Sequence, residues 1–411
     1  MGLVAAACGG DDGPGLEDFY PELPPTGGAQ SAWAGEITSA NPEELMTGPA
    51  AQGQIGDFYI RNERVRFVVS APARVIGVVP QGGNIMDAAE IGPGGTQLMP
   101  DHFGELSLIY KAGRTCEHTT MEIVRDGSAG GAAVLRARGR SGNNDFINLK
   151  GLGILPVSDD LDPDVPDEFE CATTYILHPG ARHIEVYWSL YNGGTTRVIG
   201  PMGMLNDTGG EIEAWGNGRG FERAGVEALT TLTDPSPIDF VVYQATPGPG
   251  YGIIPRFDTP TPSSGFLIAG VSIVLFGADN LLDILDPSTY TLGLDPRAGK
   301  LQRVDVVVGA DGEDTDVHFR EGRATPEPMT QIGGTVAWSA GTMPIVAGRV
   351  GVYSDENGNG QVDEMDKPWS YLDIAADGTY GGKVPTTQGT LLVRAEVKDT
   401  SRSAAAAAGA S

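Results

Sequence analysis

The chain has 411 residues, with 54 acidic against 27 basic side chains and a formal net charge of −27, which argues against nucleic acid or an anionic membrane surface as a partner. Gly 60 and Pro 29 together make about 22% of the chain against roughly 12% in an average protein, while 40% is hydrophobic. That balance suits many tight turns around real cores and argues against helical bundles and coiled coils, and the length predicts two or three folded units with linkers.

At the start, Leu3-Val4-Ala5-Ala6-Ala7-Cys8-Gly9-Gly10 is a short apolar run with small residues immediately ahead of the cysteine. It resembles the end of a bacterial lipoprotein signal, in which the cysteine becomes the acylated N-terminus. The resemblance implies lipid attachment at Cys8, a cell-envelope location (lipid-anchored or secreted) and a start upstream of Met1, because the basic n-region and most of the h-region are missing. The pattern prefers Leu where this chain has Ala5, and a chance cysteine in a flexible N-terminus is the other reading. Asp11 to Gly15 and Pro21 to Pro25 are acidic and rich in Pro and Gly, so residues 1–30 read as lipobox remnant and tether. Membrane contact is expected only through the lipid.

Residues 31–323 read as a large β-sandwich domain in an all-β chain. Phe58-Tyr59-Ile60 and Val65 to Val69 flank Arg61-Asn62-Glu63-Arg64 as a hairpin. A short helical turn is expected over Asn84 to Glu90. Asp101-His102-Phe103-Gly104-Glu105 could supply an acid/base group in a cleft or be a satisfied loop. Cys116 and Cys171 form a disulfide if the compartment is oxidising, contributing about 4 kcal/mol by chain entropy, and are free buried thiols otherwise. The acidic stretch Asp159 to Glu168 reads as a solvated loop.

His183 to Asn192 alternates with period 2: Ile184, Val186, Trp188 and Leu190 on one face, His183, Glu185, Tyr187 and Tyr191 on the other. Thr173 to His178 pairs with it through Pro179-Gly180. His178 and His183 with Glu185 could bind zinc or serve as acid/base groups, although exposed strand histidines are commoner. Trp215, in Gly-rich surroundings, could stack on a sugar from an exposed loop. Phe266 to Ala278 is too short to span a bilayer as a helix and reads as buried strands. Asn280 to Leu285 could form a turn of helix, Val304 to Val308 is a further apolar run, and Val317 to Arg320 ends the region.

Residues 324–331 read as a linker, 332–398 as a smaller β-unit and 399–411 as an Ala-rich disordered tail. Within the smaller unit, Asp355 to Asp366 matches a twelve-position Ca²⁺ loop. Oxygen side chains fall at positions 1, 3, 5, 9 and 12 (Asp355, Asn357, Asn359, Asp363, Asp366), Gly360 at 6, and the main-chain carbonyl of Gln361 at 7. The spacing is what a hard cation needs, because its six to eight oxygens can be gathered only if the chain wraps around it. Alternating Arg349 to Tyr353 before the loop and Pro368 after it rule out EF-hand helices, so the ion is expected to be structural. A metal-free Gly/Asn-rich hairpin is the other reading.

Val352 to Gly360, Asp377-Gly378-Thr379-Tyr380, Val384-Pro385 and Leu391 to Ala395 resemble the prealbumin-like modules, namely carboxypeptidase-regulatory-like domains and the B-type repeats of calcium-binding surface adhesins. That implies a seven-stranded sandwich acting as spacer or stalk. In the larger domain, Gly56 to Val69 and Gly82 to Ala89 resemble the N-terminal accessory region of PHP-type (CehA/McbA-like) metallohydrolases. The five histidines, His102, His118, His178, His183 and His318, contain no His-x-His, so the metal centre of those enzymes is not carried over. The strand pattern also resembles galactose-mutarotase-like supersandwiches. No catalytic constellation is recognisable. Two functions are expected: an exported, lipid-anchored, non-catalytic scaffold with a structural calcium and a carbohydrate or protein ligand at the cell surface, or the accessory part of a metallohydrolase or a carbohydrate-acting sandwich.

Overall fold

The computed structural model describes residues 13–398 except 76, 78, 112, 145–160, 163, 165–166, 208–211, 219, 223–237, 246–248, 259–260, 262, 269–270, 310–311, 324, 339–346 and 387–388. Cys8, the Ala-rich tail and part of the acidic loop lie outside the described residues.

The chain is all-β, as its turn-rich composition predicts. Strands β1 (Trp33–Glu36), β2 (Phe58–Arg61), β3 (Val65–Val69), β4 (Ile85–Glu90), β5 (Leu106–Tyr110), β6 (Arg114–Arg125), β7 (Ala133–Asn143), β8 (Phe169–Leu177) and β9 (His183–Asn192) come first. Next are β10 (Val198–Gly200), β11 (Met202–Asp207), β12 (Ile212–Gly216), β13 (Gly220–Glu222), β14 (Val241–Ala245), β15 (Gly250–Arg256), β16 (Ser263–Ile268), β17 (Val271–Phe276), β18 (Leu292–Leu294) and β19 (Gly299–Val308). Seventeen of these form one antiparallel sheet, in which β19 pairs with both β9 and β15, and β11 with both β5 and β17.

The sheet closes around one main core. Ile184, Val186, Trp188 and Leu190 of β9 are all buried in it, packed with Phe67, Tyr175, Met204, Phe276 and Val306. Each such side chain contributes roughly 1.5–3 kcal/mol by leaving water. The expected hairpins β2–β3 and β8–β9 form, and Phe266 to Ala278 supplies β16 and β17. Residues 84–90 depart from expectation: most of them form β4, paired with β3 and buried through Ala89, because tertiary pairing outweighs the local Asn/Asp turn signal. Asn280 does begin a short 3₁₀ helix, Leu281–Leu285, its side chain accepting from Leu282 N.

The segment read as a tether is docked from Leu16 onward. Leu16 is buried against Ala172 and Tyr191, Phe19 stacks on Tyr191 at 6.0 Å, and the Arg136 guanidinium lies 3.8 Å from the Tyr20 ring. A few aromatic anchors suffice to hold a polar strand to a sheet.

After β19 the chain forms α1 (Gly312–Glu321), a helix where sequence pattern suggested only the end of the domain. Within it, Arg320 Nε donates to Asp316 Oδ1 at 2.6 Å, both side chains buried. Gly252 of β15 permits the close approach, since a Cβ there would meet Thr315 Oγ1 at 2.3 Å. No helix among the described residues is long and apolar enough to cross a membrane.

The C-terminal unit comprises β20 (Met329–Thr335), β21 (Ala347–Ser354), β22 (Lys367–Asp373), β23 (Thr379–Pro385) and β24 (Leu391–Lys398), arranged as β20–β23 and β22–β21–β24. Two thin clusters lie between these sheets, one around Val350 and Ile374, the other around Val352, Leu372 and Val384. The unit leans on the large sheet through Tyr371, whose ring lies 5.4 Å from Trp215 and 4.8 Å from Phe221. Its hydroxyl donates to Gln244 Oε1 at 3.0 Å, and Arg349 pairs with Glu213 at 2.9 Å.

Candidate functional site

Among the described residues, two places gather chemistry. The first is the loop 355–366, which joins β21 to β22 where Ser354 pairs with Lys367. Gly358 and Gly360 adopt positive φ (69° and 74°), which lets the chain double back. Asp355 accepts from Asn359 N and Gly360 N, each at 3.1 Å. Asn357 Oδ1 takes Asn359 N at 3.0 Å, and Asn359 Oδ1 takes Gln361 N at 2.7 Å. Asp366, only 7% exposed, ties the loop's two ends together, accepting from Glu356 N at 3.1 Å and Asp363 N at 2.8 Å.

The amide nitrogens of Asn357 and Asn359 both donate to Asp363 Oδ2, at 2.8 and 2.6 Å. The Met365 N–H and then these side chains hold the Asp363 carboxyl below its usual range. Asp363 Oδ2 thus accepts two side-chain amide donors, and the candidate ligand atoms along the loop are all oxygens.

The second place is on the outer face of β9 and β19, under α1. His178 Nε2 is 3.7 Å from Glu185 Oε1, so half of the histidine–glutamate grouping predicted at the hairpin forms. Glu185 is already held by the Tyr187 hydroxyl and by Arg303 Nη2, both at 2.9 Å. His183 turns instead to His318 of α1, ring centroids 4.1 Å apart. With Asp305 of β19 these two histidines place one ligand atom each within 4.8 Å of one another.

Asp305 is fully buried and accepts from Arg303 Nε (2.6 Å), Arg256 Nε (2.8 Å) and His318 Nε2 (3.1 Å). Burial opposes its charge, but the His318 hydrogen bond and the Arg303 and Arg256 guanidiniums outweigh burial and hold the carboxyl below the usual carboxylate range. Burial, then the neighbouring His318, pushes His183 down to about 3, so its ring is neutral. Arg256 also donates to the His318 and Phe319 carbonyls, both at 3.1 Å, and so anchors the end of α1. Sequence reading found His183 but missed Asp305 and His318. The available signal was a lone Asp inside Val304-Asp305-Val306-Val307-Val308.

Other predicted residues are engaged elsewhere. Trp215 is a correction: it lies on β12, 2% exposed, packed on Phe240 at 5.7 Å and against Tyr371, so its faces are covered and no sugar can stack there. Asp101, His102 and Glu105 do not act together. His102 N donates to the Tyr251 hydroxyl at 3.0 Å, and Glu105 Oε2 takes Val79 N at 3.0 Å. Asp101 Oδ1 takes Ala88 N and Phe103 N, while burial and then Asp87 push this carboxyl up to about 8. His118 lies between the Gly82 carbonyl (2.8 Å) and Thr173 Oγ1 (2.9 Å), and burial pushes it down to about 4. Nearby, Cys116 of β6 and Cys171 of β8 are disulfide-bonded, their Cα atoms 6.0 Å apart.

The fold and these sites define an all-β, sandwich-class chain with one internal disulfide. No protein-family model and no curated protein matches it. Among solved structures it is similar to the Slr1438 protein of Synechocystis sp. PCC 6803, at 10% identity and a TM-score of 0.36, covering 64% of this chain and 98% of that one. A galactose mutarotase related enzyme of Lactobacillus acidophilus gives 10% identity and 0.36, covering 62% of this chain and 97% of that one. A GH36 alpha-galactosidase of Geobacillus stearothermophilus gives 11% and 0.36, with 65% of this chain matching 42% of the enzyme. These are loose likenesses of strand arrangement, and no activity is taken from them.

Proposed function

We propose that this is an exported, non-catalytic binding and scaffold protein of the cell envelope, attached through Cys8 and carrying a structural Ca²⁺ in the 355–366 loop. What supports the reading most is how that loop uses its oxygens. Asp355, Asp363 and Asp366 accept main-chain N–H groups of their own loop, so their chemistry is directed at shape. Asp355, Asn357, Asn359, Asp363, Asp366 and the Gln361 carbonyl would hold the ion, which neutralises the loop's crowded carboxylates and stiffens the β21–β22 connection.

The Cys116–Cys171 disulfide favours an oxidising compartment, since cytosolic thiols are kept reduced. Acid/base candidates are tied to structural partners: Asp305 to two arginines, His118 to Gly82 and Thr173. The ligand class that fits such a surface scaffold is a carbohydrate or a protein, met away from buried Trp215.

Melting the C-terminal unit in Ca²⁺ and in EDTA tests the ion. With Kd in the ~10⁻⁴–10⁻³ M range of extracellular modules, Ca²⁺ near 100 Kd stabilises by about 2.7 kcal/mol. Asp355→Ala should lower the melting temperature more in Ca²⁺ than in EDTA, where only its two main-chain hydrogen bonds are lost; equal shifts in both would refute the ion. Detergent-phase partitioning that persists in Cys8→Ser would refute lipid attachment.

A further inference from the structure

We propose that His183, Asp305 and His318 form a second metal site, for a borderline divalent ion of the Zn²⁺ class, at the point where α1 is fastened to the large sheet. It differs from the calcium loop in its nitrogen donors and from the His178–Glu185 contact in its members. Three elements distant in sequence supply it: β9, β19 and α1. Their ligand atoms lie within 4.8 Å of one another.

Geometry and donor chemistry both point to this class of ion. Tetrahedral Zn²⁺ with bonds of about 2.0–2.2 Å has ligand atoms roughly 3.3 Å apart. His318 Nε2 and Asp305 Oδ2 are 3.1 Å apart, close to one edge of that tetrahedron. The two imidazoles are already in contact, their centroids 4.1 Å apart. Small side-chain rotations therefore admit the ion, with His318 carrying its proton on Nδ1 once Nε2 is a ligand. Two imidazoles and one carboxylate suit Zn²⁺, whereas Ca²⁺ and Mg²⁺ require oxygen donors.

The surroundings hold the ligands in place. Arg303 Nε on Asp305 Oδ1 fixes the carboxylate plane. Arg256 grips the same carboxylate and, through the His318 and Phe319 carbonyls, the end of the helix that carries His318. Such outer hydrogen bonds orient metal ligands. Charge permits the ion as well. Arg182, Arg256 and Arg303 are paired with Asp305, Glu185, Glu90 and Asp314, leaving carboxylates in excess over guanidiniums beside the two imidazoles. Three protein ligands leave the fourth position to water. The ion would staple the helix that leads to the C-terminal unit onto the large sheet.

The experiment uses the tag-free full chain, stripped with chelator, and titrates Co²⁺ as an absorbing probe followed by Zn²⁺. One saturable site per chain is expected, with the intense visible bands of tetrahedral Co²⁺, bleached by Zn²⁺. His183→Gln and His318→Gln should each weaken binding roughly tenfold or more, while His178→Gln and Asp355→Ala leave it unchanged. Matching circular dichroism of each variant in chelator shows that the fold is retained. Absence of saturable Co²⁺ binding in the wild type, or binding that survives both His183→Gln and His318→Gln, overturns the site. Loss on His178→Gln alone reassigns the metal to the Glu185 contact and overturns it too. Because Asp355→Ala leaves this site intact, its failure and that of the calcium reading are separable.

Discussion

The large sheet and the C-terminal unit are built from the same strands and turns but achieve rigidity differently. The large sheet buries whole aromatic side chains, Trp188, Tyr175, Phe67 and Phe276 among them, and is cross-linked by Cys116–Cys171. The C-terminal unit has two thin clusters whose fully buried members are aliphatic, and among the described residues the large aromatic it buries fully, Tyr371, inserts into its neighbour beside Trp215 and Phe240. Small units bury too little of their own surface to be robust alone, so docking and ion binding do what a core cannot.

Removing the docking aromatic should break this contrast most. Tyr371→Ala deletes a buried ring at the seam, and by analogy with core aromatic truncations costs about 3–5 kcal/mol. The C-terminal unit should then melt, or be clipped by protease, before the large sheet does. A single unchanged transition would mean that the unit is self-sufficient. Reducing the disulfide is the converse test. It should cost about 4 kcal/mol, and do so in the transition of the large sheet, leaving the C-terminal unit's calcium response intact.

Acid should act mainly on the large sheet. His118 is pushed down to about 4 from 6.5, so the unfolded chain binds the proton more readily between those values. Stability from this group is complete above about 6.5 and falls as pH drops toward 4, by on the order of 3 kcal/mol. Denaturant midpoints measured across that window should slope accordingly, and His118→Gln should flatten the slope. The smallest mutational effect is expected at Asp101, whose carboxyl is raised to about 8 from 3.8. Its folded form holds the proton, so its contribution is full below about 4 and fades as pH rises toward 8. Asp101→Asn should change stability by about 1 kcal/mol or less near pH 5 and remove part of the alkaline decline.

Much of the architecture was legible because strand burial leaves a local trace. The period-2 face of β9 was readable residue by residue, and each of its four apolar positions is in the core. The strand pairing of the β2–β3 hairpin and of β16 with β17 was legible as well. Local trace misled where both faces of an element are covered. Asp87 in β4 is buried with Met86 and Ala88, so its carboxyl looked like a turn signal. Helix α1 has no apolar stripe to read, because buried ion pairs and a glycine opposite Thr315 take the place of one. Trp215 was misplaced for a related reason: Gly-rich neighbours suggest exposure, yet the unit that covers the ring lies more than a hundred residues away.

Composition, periodicity and spacing settled alone that this chain would be layered β-structure and that it would turn often, and they placed oxygen side chains at five spaced positions of the loop 355–366. Each of those properties depends on near neighbours in the chain. Which histidine faces which carboxylate was decided only when β9, β19 and α1 packed together, bringing His183, Asp305 and His318 into one place. The meeting of those three depends on strand order and on how one helix crosses a sheet, and neither is encoded in any short stretch of residues.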